Sequence, residues 1–441
     1  MNFKKAAAIV TAAGALAAIS VPAMALENEF HGMYRLRGIM SNFQNAGAPA
    51  FPADSADPKT MTVFEQRARL QYTAKVSDDL KLITHFEMDS SWGDNGGATG
   101  GRGLGGGMGA DSVNLETKNV YLDFNIPSTP VHAKVGIQAW SDAYKGIFIN
   151  DDLAGAFFDA NLGGLKTTAG FARLQDGPSN ANPVGQKTGD LYVLDAKYSL
   201  TKDLTLGGSY YLYRNDMNYK TSDVHMVGLN AAAKVGPVAM DAFAAIQAGE
   251  VGTSVANKKD LLAFAAQVAA KATVGPGALR ASFLYASGDN NNGAGSKNHA
   301  FQNPAGYVGS SSNFYSSNLL LLMRSVYAMD SDKAIVMTTN NANQGLMLGT
   351  LGFDANITDK LGASVNAGFG LNAERNTTTT SNSKYMGTEL NASINYKLFA
   401  NLTATLDGAY VILGDRFKNT ATAGATPKDP YMTEVMLNYA F

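Results

Sequence analysis

The chain has no cysteine, only two tryptophans, and charged side chains at 16% of its 441 positions. Without cysteine there is no disulfide scaffold, no thiolate metal site and no Cys-x-x-Cys-His for attaching haem. The five histidines are scattered, and no His-Glu-x-x-His or paired-histidine spacing marks a zinc site. Gly-x-Ser-x-Gly is missing as well, so no nucleophile elbow signals a hydrolase. Long apolar runs are scarce. Beyond the first 25 residues the densest cluster, Leu319 to Met323, falls far short of the ~20 residues of a membrane helix. A soluble fold remains open, and so does a β-barrel, whose strands cross a membrane in ~9–11 residues of alternating pattern.

The N-terminus has what the rest lacks. Lys4 and Lys5 precede the apolar run Ala6 to Val21, and Ala23-Met24-Ala25 places small residues where a signal peptidase reads. This predicts a signal peptide over 1–25 and a mature chain starting at Leu26. Loss of the two lysines takes the net charge from -2 to -4, which argues against a nucleic-acid partner. The 46 glycines, 21 phenylalanines and 19 tyrosines suit a β-wall with small inward residues and aromatic girdles.

Polarity alternates with period two. In 361–371 the odd positions are Leu361, Ala363, Val365, Ala367, Phe369 and Leu371, and the even ones are Gly, Ser and Asn. Thr388, Leu390, Ala392, Ile394, Tyr396 and Leu398 form one face of another segment. Alternation alone fits a sandwich with its apolar face inside or a barrel with that face in lipid. The connections discriminate between them. One class is tight: Ser77-Asp78-Asp79-Leu80, Thr201-Lys202-Asp203-Leu204, Thr358-Asp359-Lys360-Leu361, Gly236-Pro237 and Gly275-Pro276. The other is long and polar, at 89–112, 176–189, 289–344 and 414–429. Short and long connections alternate, as in a barrel with tight periplasmic turns and long extracellular loops. The expected fold is all-β: a transmembrane antiparallel up-and-down β-barrel over 26–441, with about 18 strands and 16 as the alternative. Segment 289–344 is expected to be a long extracellular loop that could hide two strands or a short helix.

Strand parity places the charges. Arg35 and Arg37 share one face of the first segment, and Arg67 and Arg69 one face of the second. A one-residue register slip would send all four into lipid at ~2–4 kcal/mol each near the midplane, so they are expected to face the lumen. Lys81, His85, Glu87 and Asp89 share the inward parity of the third segment, and Lys134 has that of the fifth. These charges either solvate a wide polar wall or form a basic ladder along a constriction. Two apparent motifs dissolve. Gly101-x-Gly103-x-x-Gly106 lies in a glycine-rich loop without βαβ context, and Asp289-Asn-Asn-Asn-Gly293 breaks EF-hand spacing. No cofactor is expected.

The last segment ends on alternating Val435, Leu437, Tyr439 and Phe441. This closing strand resembles the β-signal that hands outer-membrane proteins to the barrel-assembly machinery. With the loop alternation, the chain resembles the Gram-negative outer-membrane porins, and among them is similar to the OmpJ-type channel proteins. The resemblance implies a water-filled channel through which small hydrophilic solutes or ions diffuse, outer-membrane lipid around it, and a homotrimer. It also implies that the connection after the fifth strand, 141–153, folds into the barrel and presents Asp142, Asp151 and Asp152 to the arginines, with Glu87 and Asp89 nearby. The alternatives are a barrel that sheathes a partner such as a multihaem cytochrome, and a barrel-embedded hydrolase in which Ser, His and Asn or Asp converge in space.

Overall fold

A computed structural model describes residues 26–43, 60–95, 105–110, 113–177, 183–217, 222–252, 257–290, 295–304, 315–325, 334–375, 383–418 and 427–441. The proposed leader, residues 1–25, and Gly101 and Gly103 lie outside them.

Alternation and tight turns together build a meander. Among the described residues the wall strands are β1 (Glu27–Ser41), β2 (Met61–Ser77), β3 (Leu80–Ser91), β4 (Glu116–Asn125), β5 (Val131–Ser141), β6 (Asn150–Leu162), β7 (Leu165–Asp176), β8 (Thr188–Thr201) and β9 (Leu204–Asn215). They continue as β10 (Ser222–Val235), β11 (Val238–Gly252), β12 (Lys258–Val274), β13 (Gly277–Ala286), β14 (Leu346–Asn356), β15 (Leu361–Leu371), β16 (Tyr385–Phe399), β17 (Leu402–Leu413) and β18 (Tyr431–Ala440). Each pairs antiparallel with its sequence neighbours, and β1 pairs with β18 from Met33↔Ala440 to Ser41↔Met432, so the sheet has no free edge. The fold is the expected closed barrel of 18 wall strands. A two-residue bridge, Lys297–Asn298, adds to β12 in parallel.

Most of the tight connections are two-residue turns, and those after Asn125 and Asn356 have five and four residues. At Gly236 and Gly275 the backbone takes φ of 58° and 56°, a left-handed conformation that glycine adopts without strain. The seam closes at the terminus. Gly32 and Phe441 exchange both backbone hydrogen bonds, at 2.9 and 3.0 Å, and a Cβ at Gly32 would lie only 2.4 Å from the Phe441 ring. Val435, Tyr439 and Phe441 point outward, while Met432, Glu434 and Met436 of the same stretch are buried inside.

The outer face is a band of exposed Leu, Val, Ile and Phe; Leu229 and Ile246 are 69% and 58% exposed. The buried core is instead inside the barrel, where two connections fold inward. Residues 142–149 bring Tyr144 and Phe148 against Tyr211 of β9, with Tyr144 also on Phe243 of β11 and Ile147 buried in the same cluster. Part of the β13–β14 connection packs against the inner face of β15 and β16. The described residues of the expected long loop 289–344 thus turn into the barrel. Phe301, Leu319, Leu321, Leu322, Met323 and Val336 are buried. The segment around Leu319 forms neither a helix nor a wall strand there, but an isolated parallel bridge, Met323↔Val336.

Glycines in the wall make room for both insertions. A Cβ at Gly228 of β10 would lie 2.5 Å from the Tyr144 hydroxyl, and one at Gly368 of β15 2.8 Å from Leu319. At Gly370 a Cβ would sit 3.1–3.4 Å from Met386 and Leu322. Gly368 and Gly370 are small where the inserted Leu319 and Leu322 occupy the space above them.

Candidate channel lumen

All four arginines face inward, as parity required. Arg35 and Arg37 are buried on β1, with their apolar neighbours Tyr34 and Met40 exposed on the other face. Register decides their partners. Barrel closure sets β18 beside β1, so Arg37 donates from Nε and Nη2 to Glu434 Oε2 at 2.8 and 2.5 Å. The β2–β3 ladder sets Arg67 opposite Asp89 and Arg69 opposite Glu87. Arg67 forms a two-pronged pair with Asp89, at 2.7 and 2.5 Å, and lies 3.3 Å from Glu87, while Arg69 donates from Nε to Glu87. Two-pronged guanidinium–carboxylate pairs fix orientation as well as charge. Lys81 and Lys134 both lie opposite Asp123 of β4, whose carboxylate also accepts from His132 Nε2 at 2.8 Å. The wall from β18 through β5 is therefore an array of alternating cations and carboxylates.

Asp142 and Asp152 have partners other than Arg37, Arg67 and Arg69, the arginines that Asp142, Asp151 and Asp152 are expected to face. First, Asp142 is buried and serves its own segment: it accepts the N–H groups of Tyr144, Gly146, Phe148 and Ile149 at 2.7–2.9 Å. A carboxylate with four backbone donors holds a tight turn closed. Second, β6 begins at Asn150 rather than near 154, so Asp151 and Asp152 are adjacent strand residues whose side chains leave opposite faces. Asp151 has the inward parity of buried Leu153 and Phe157, and Asp152 has the parity of exposed Phe158. Asp152 meets Lys118 at 2.5 Å and Asn119 at 2.8 Å. Glu87 and Asp89, by contrast, do meet the arginines.

Several participants were invisible to parity alone. Glu434 stands two residues before Met436 on the inward face of the last strand, and extending that alternation backward would have reached it. Its partner on β1 is nearly 400 positions away, and only closure joins them. Glu389 of β16, fully buried, accepts the N–H groups of Leu320, Leu321 and Leu322 at 2.7, 3.0 and 2.6 Å. Lys145, held at φ 65°, reaches Asp241 of β11 at 2.8 Å. Arg280 of β13 pairs with Asp354 of β14 at 2.6 and 2.7 Å.

The insertions narrow the lumen without filling it. One cavity of about 560 Å³ is lined by Lys234, Asp241, Lys271, Arg280, Tyr315 and Asn318, among others. A second, of about 580 Å³, is lined by Trp140, Asp159, Asp195, Lys197 and Ser209, among others. Both present hydrogen-bonding side chains to water-sized spaces. Among the described residues no group of three or more His, Asp or Glu is arranged to hold a metal ion.

Known proteins share this architecture. The profile of a family described as "Alginate export" matches residues 192–427, more than half of the chain. Among solved structures, Acinetobacter baumannii OccAB4 superposes with a TM-score of 0.55 at 14% identity, over 94% of this chain and 98% of that one. Pseudomonas aeruginosa OccK8 (OprE) gives 0.56 at 12%, over 94% and 98%. A BenF-like porin from Pseudomonas fluorescens Pf-5 gives 0.55 at 12%, with the same coverage. No curated protein sequence matches the chain.

Proposed function

Because the chain belongs to the alginate export family, we propose that it is an outer-membrane channel through which small hydrophilic solutes and ions diffuse passively. One observation carries this: the closed barrel is apolar outside and charged inside, and its inward segments leave polar cavities beside them. The work of such a channel is done by width and by the transverse field between arginines and carboxylates. The likeness to OmpJ-type channel proteins rests on the terminal strand and loop pattern alone.

Three further parts belong to the same reading. Residues 1–25 are removed on export, so that the mature chain starts at Leu26. Val435, Leu437, Tyr439 and Phe441 are read by the barrel-assembly machinery. The channel assembles as a homotrimer. The sheath alternative needs a roomy lumen, and the two inward segments work against it.

Planar bilayers test the proposal. Purified protein alone should give discrete conductance steps and carry no stoichiometric haem. Silence in bilayers, reversed only by a one-to-one cytochrome partner, would establish the sheath instead.

A further inference from the structure

Charge is not spread evenly through the lumen. Arg37, Arg67 and Arg69 each meet a carboxylate, and the second cavity sets Lys166 and Lys197 beside Asp159 and Asp195. The first cavity is different. Lys145, Lys202, Lys234, Lys271 and Arg280 line it, against the carboxylates of Asp203 and Asp241. Lys145 is paired with Asp241 at 2.8 Å, and the fork of Arg280 is filled by Asp354 at 2.6 and 2.7 Å. Lys202, Lys234 and Lys271 are exposed and have no ion-pair partner among the described residues. With Asp354 included, five cations face three carboxylates, which leaves an excess of two positive charges.

Register builds that excess. Lys234 of β10, Ala239 of β11, Lys271 of β12 and Arg280 of β13 stand in one row across the wall. Lys234, Lys271 and Arg280 have the parity of buried Met226, Ala265 and Leu284, so the row faces inward. It lies at the tight-turn end, where the Asp203 carbonyl accepts the Lys234 N–H at 2.8 Å and brings the β8–β9 turn with Lys202 alongside. Ala239 in this row, and Ala232 and Ala269 in the next, are too short to fill the space between the lysines. Lys145 of the first inward segment and Tyr315, Ser316 and Asn318 of the second line the same space. Its volume of about 560 Å³ is that of a small-molecule site.

We propose that this chamber binds phosphate-bearing solutes, either inorganic phosphate or a small phosphate monoester. The proposal rests on the channel reading, which brings the solute there. A phosphate monoester carries about two negative charges at neutral pH, matching the excess in the chamber. Its oxygens point in several directions and suit compact ammonium groups arriving from separate strands. A planar carboxylate gains most from a free guanidinium fork, and here the fork is occupied. Exposed lysines without fixed partners hold an anion loosely enough for it to leave again, as a channel requires.

Two measurements test the site. Isothermal titration calorimetry on the full barrel in detergent compares inorganic phosphate, glucose 6-phosphate, glucose and acetate. The wild type should bind the phosphate-bearing probes about tenfold more tightly than acetate, and glucose should give no heat. Each ammonium–phosphate contact is a charge-assisted hydrogen bond, so K234Q/K271Q should weaken phosphate binding about tenfold and K202Q about threefold. K234R/K271R, which keeps the charge, should stay within about threefold of wild type, and K360Q, in a tight turn outside the chamber, should lose nothing. Glucose 6-phosphate binding more tightly than inorganic phosphate would assign the site to a phosphorylated solute, and equal binding would assign it to the ion alone. Heat-modifiable gel mobility verifies that each variant is folded. Equal phosphate binding by wild type and K234Q/K271Q would overturn the proposal, as would acetate binding as tightly as phosphate. In planar bilayers, phosphate should reduce the chloride current of wild-type channels, and K234Q/K271Q should need about tenfold more for the same effect. Channels that conduct chloride but respond to phosphate no more than to acetate would sink the site and leave the channel reading standing. Silent bilayers would sink the channel reading, while the calorimetry still decides whether the chamber binds phosphate.

Discussion

Thr339 Oγ1 donates a hydrogen bond to the carbonyl oxygen of Ile147 at 2.9 Å, with Thr339 fully buried, and so ties the two inward segments to each other. One segment follows β5 and is held by Asp142; the other follows β13 and is held by Glu389 of β16. Each is anchored by a carboxylate that accepts several backbone donors, and neither anchor uses the charges of the arginine array. Width and field are thus set by separate groups, which makes them separable by mutation.

Replacing Thr339 with Val removes the link at nearly constant volume and takes the Thr339 donor away from the Ile147 carbonyl. A buried hydrogen bond of this kind contributes about 1 kcal/mol, roughly fivefold in the ratio of docked to released segment. T339V channels should therefore show larger open-state current noise than wild type, with charge selectivity unchanged. Quiet T339V records would mean that the segments are held independently.

Glu389 is the stronger lock. Its carboxylate accepts three N–H groups of 320–322 and the Asn391 amide at 2.8 Å. Gln retains one acceptor oxygen and Leu retains none, so the cost rises from about 1.5 kcal/mol for E389Q to several for E389L. Single-channel conductance should increase in the order wild type, E389Q, E389L, as residues 315–325 leave the wall. A conductance unchanged in E389L would show that these residues lie clear of the permeation path.

The barrel was legible in the sequence because its signal is local. Period-two alternation and alternating tight and long connections fix strand number and facing, and Arg35, Arg37, Arg67 and Arg69 point inward as lipid exclusion demands. What parity could not show is where a connection goes. Residues 289–344 are polar and glycine- and asparagine-rich, the composition of an external loop, yet Leu319 and Leu322 dock over Gly368 and Gly370 some fifty residues later. The acidic loop is only partly legible for a related reason. Asp151 and Asp152 look like a paired loop site until strand β6 is extended to Asn150, and then the pleat separates them. Asp142 looked free to face the pore because its four backbone donors exist only once the turn has closed.

Gly228 tests the seat of the first insertion. A methyl there meets the Tyr144 ring at 2.5–2.6 Å and the Ala244 carbonyl oxygen at 3.0 Å. G228A should displace Tyr144 at a cost of about 1–3 kcal/mol, typical of overpacking. The barrel itself should survive, since β10 keeps its ladder. Heat-modifiable gel mobility should be retained while conductance rises, and deletion of 143–150 should give the larger increase of the two. A G228A channel identical to wild type would place Tyr144 elsewhere in the working protein.

The charge array makes the most discriminating prediction, read as reversal potential in a salt gradient. Arg67 and Arg69 are balanced by Asp89 and Glu87 on the neighbouring strand, so the field on this wall depends on those four groups. In a narrow channel with low-dielectric walls the loss of one sign is felt more strongly than on an open surface. R67Q/R69Q should move selectivity toward cations, and E87Q/D89N should move it toward anions by a comparable amount. The two loop-proximal aspartates should differ from each other. D151N, on the inward face, should shift selectivity toward anions, whereas D152N, on the other parity and paired with Lys118, should leave the reversal potential at the wild-type value. High salt should shrink every shift, because the Debye length falls to ~3 Å at 1 M. If R67Q/R69Q and E87Q/D89N both reverse at the wild-type potential, the arginine array is solvated wall and selectivity is set elsewhere in the lumen. If D152N shifts as far as D151N, the facing assigned to the start of β6 is wrong.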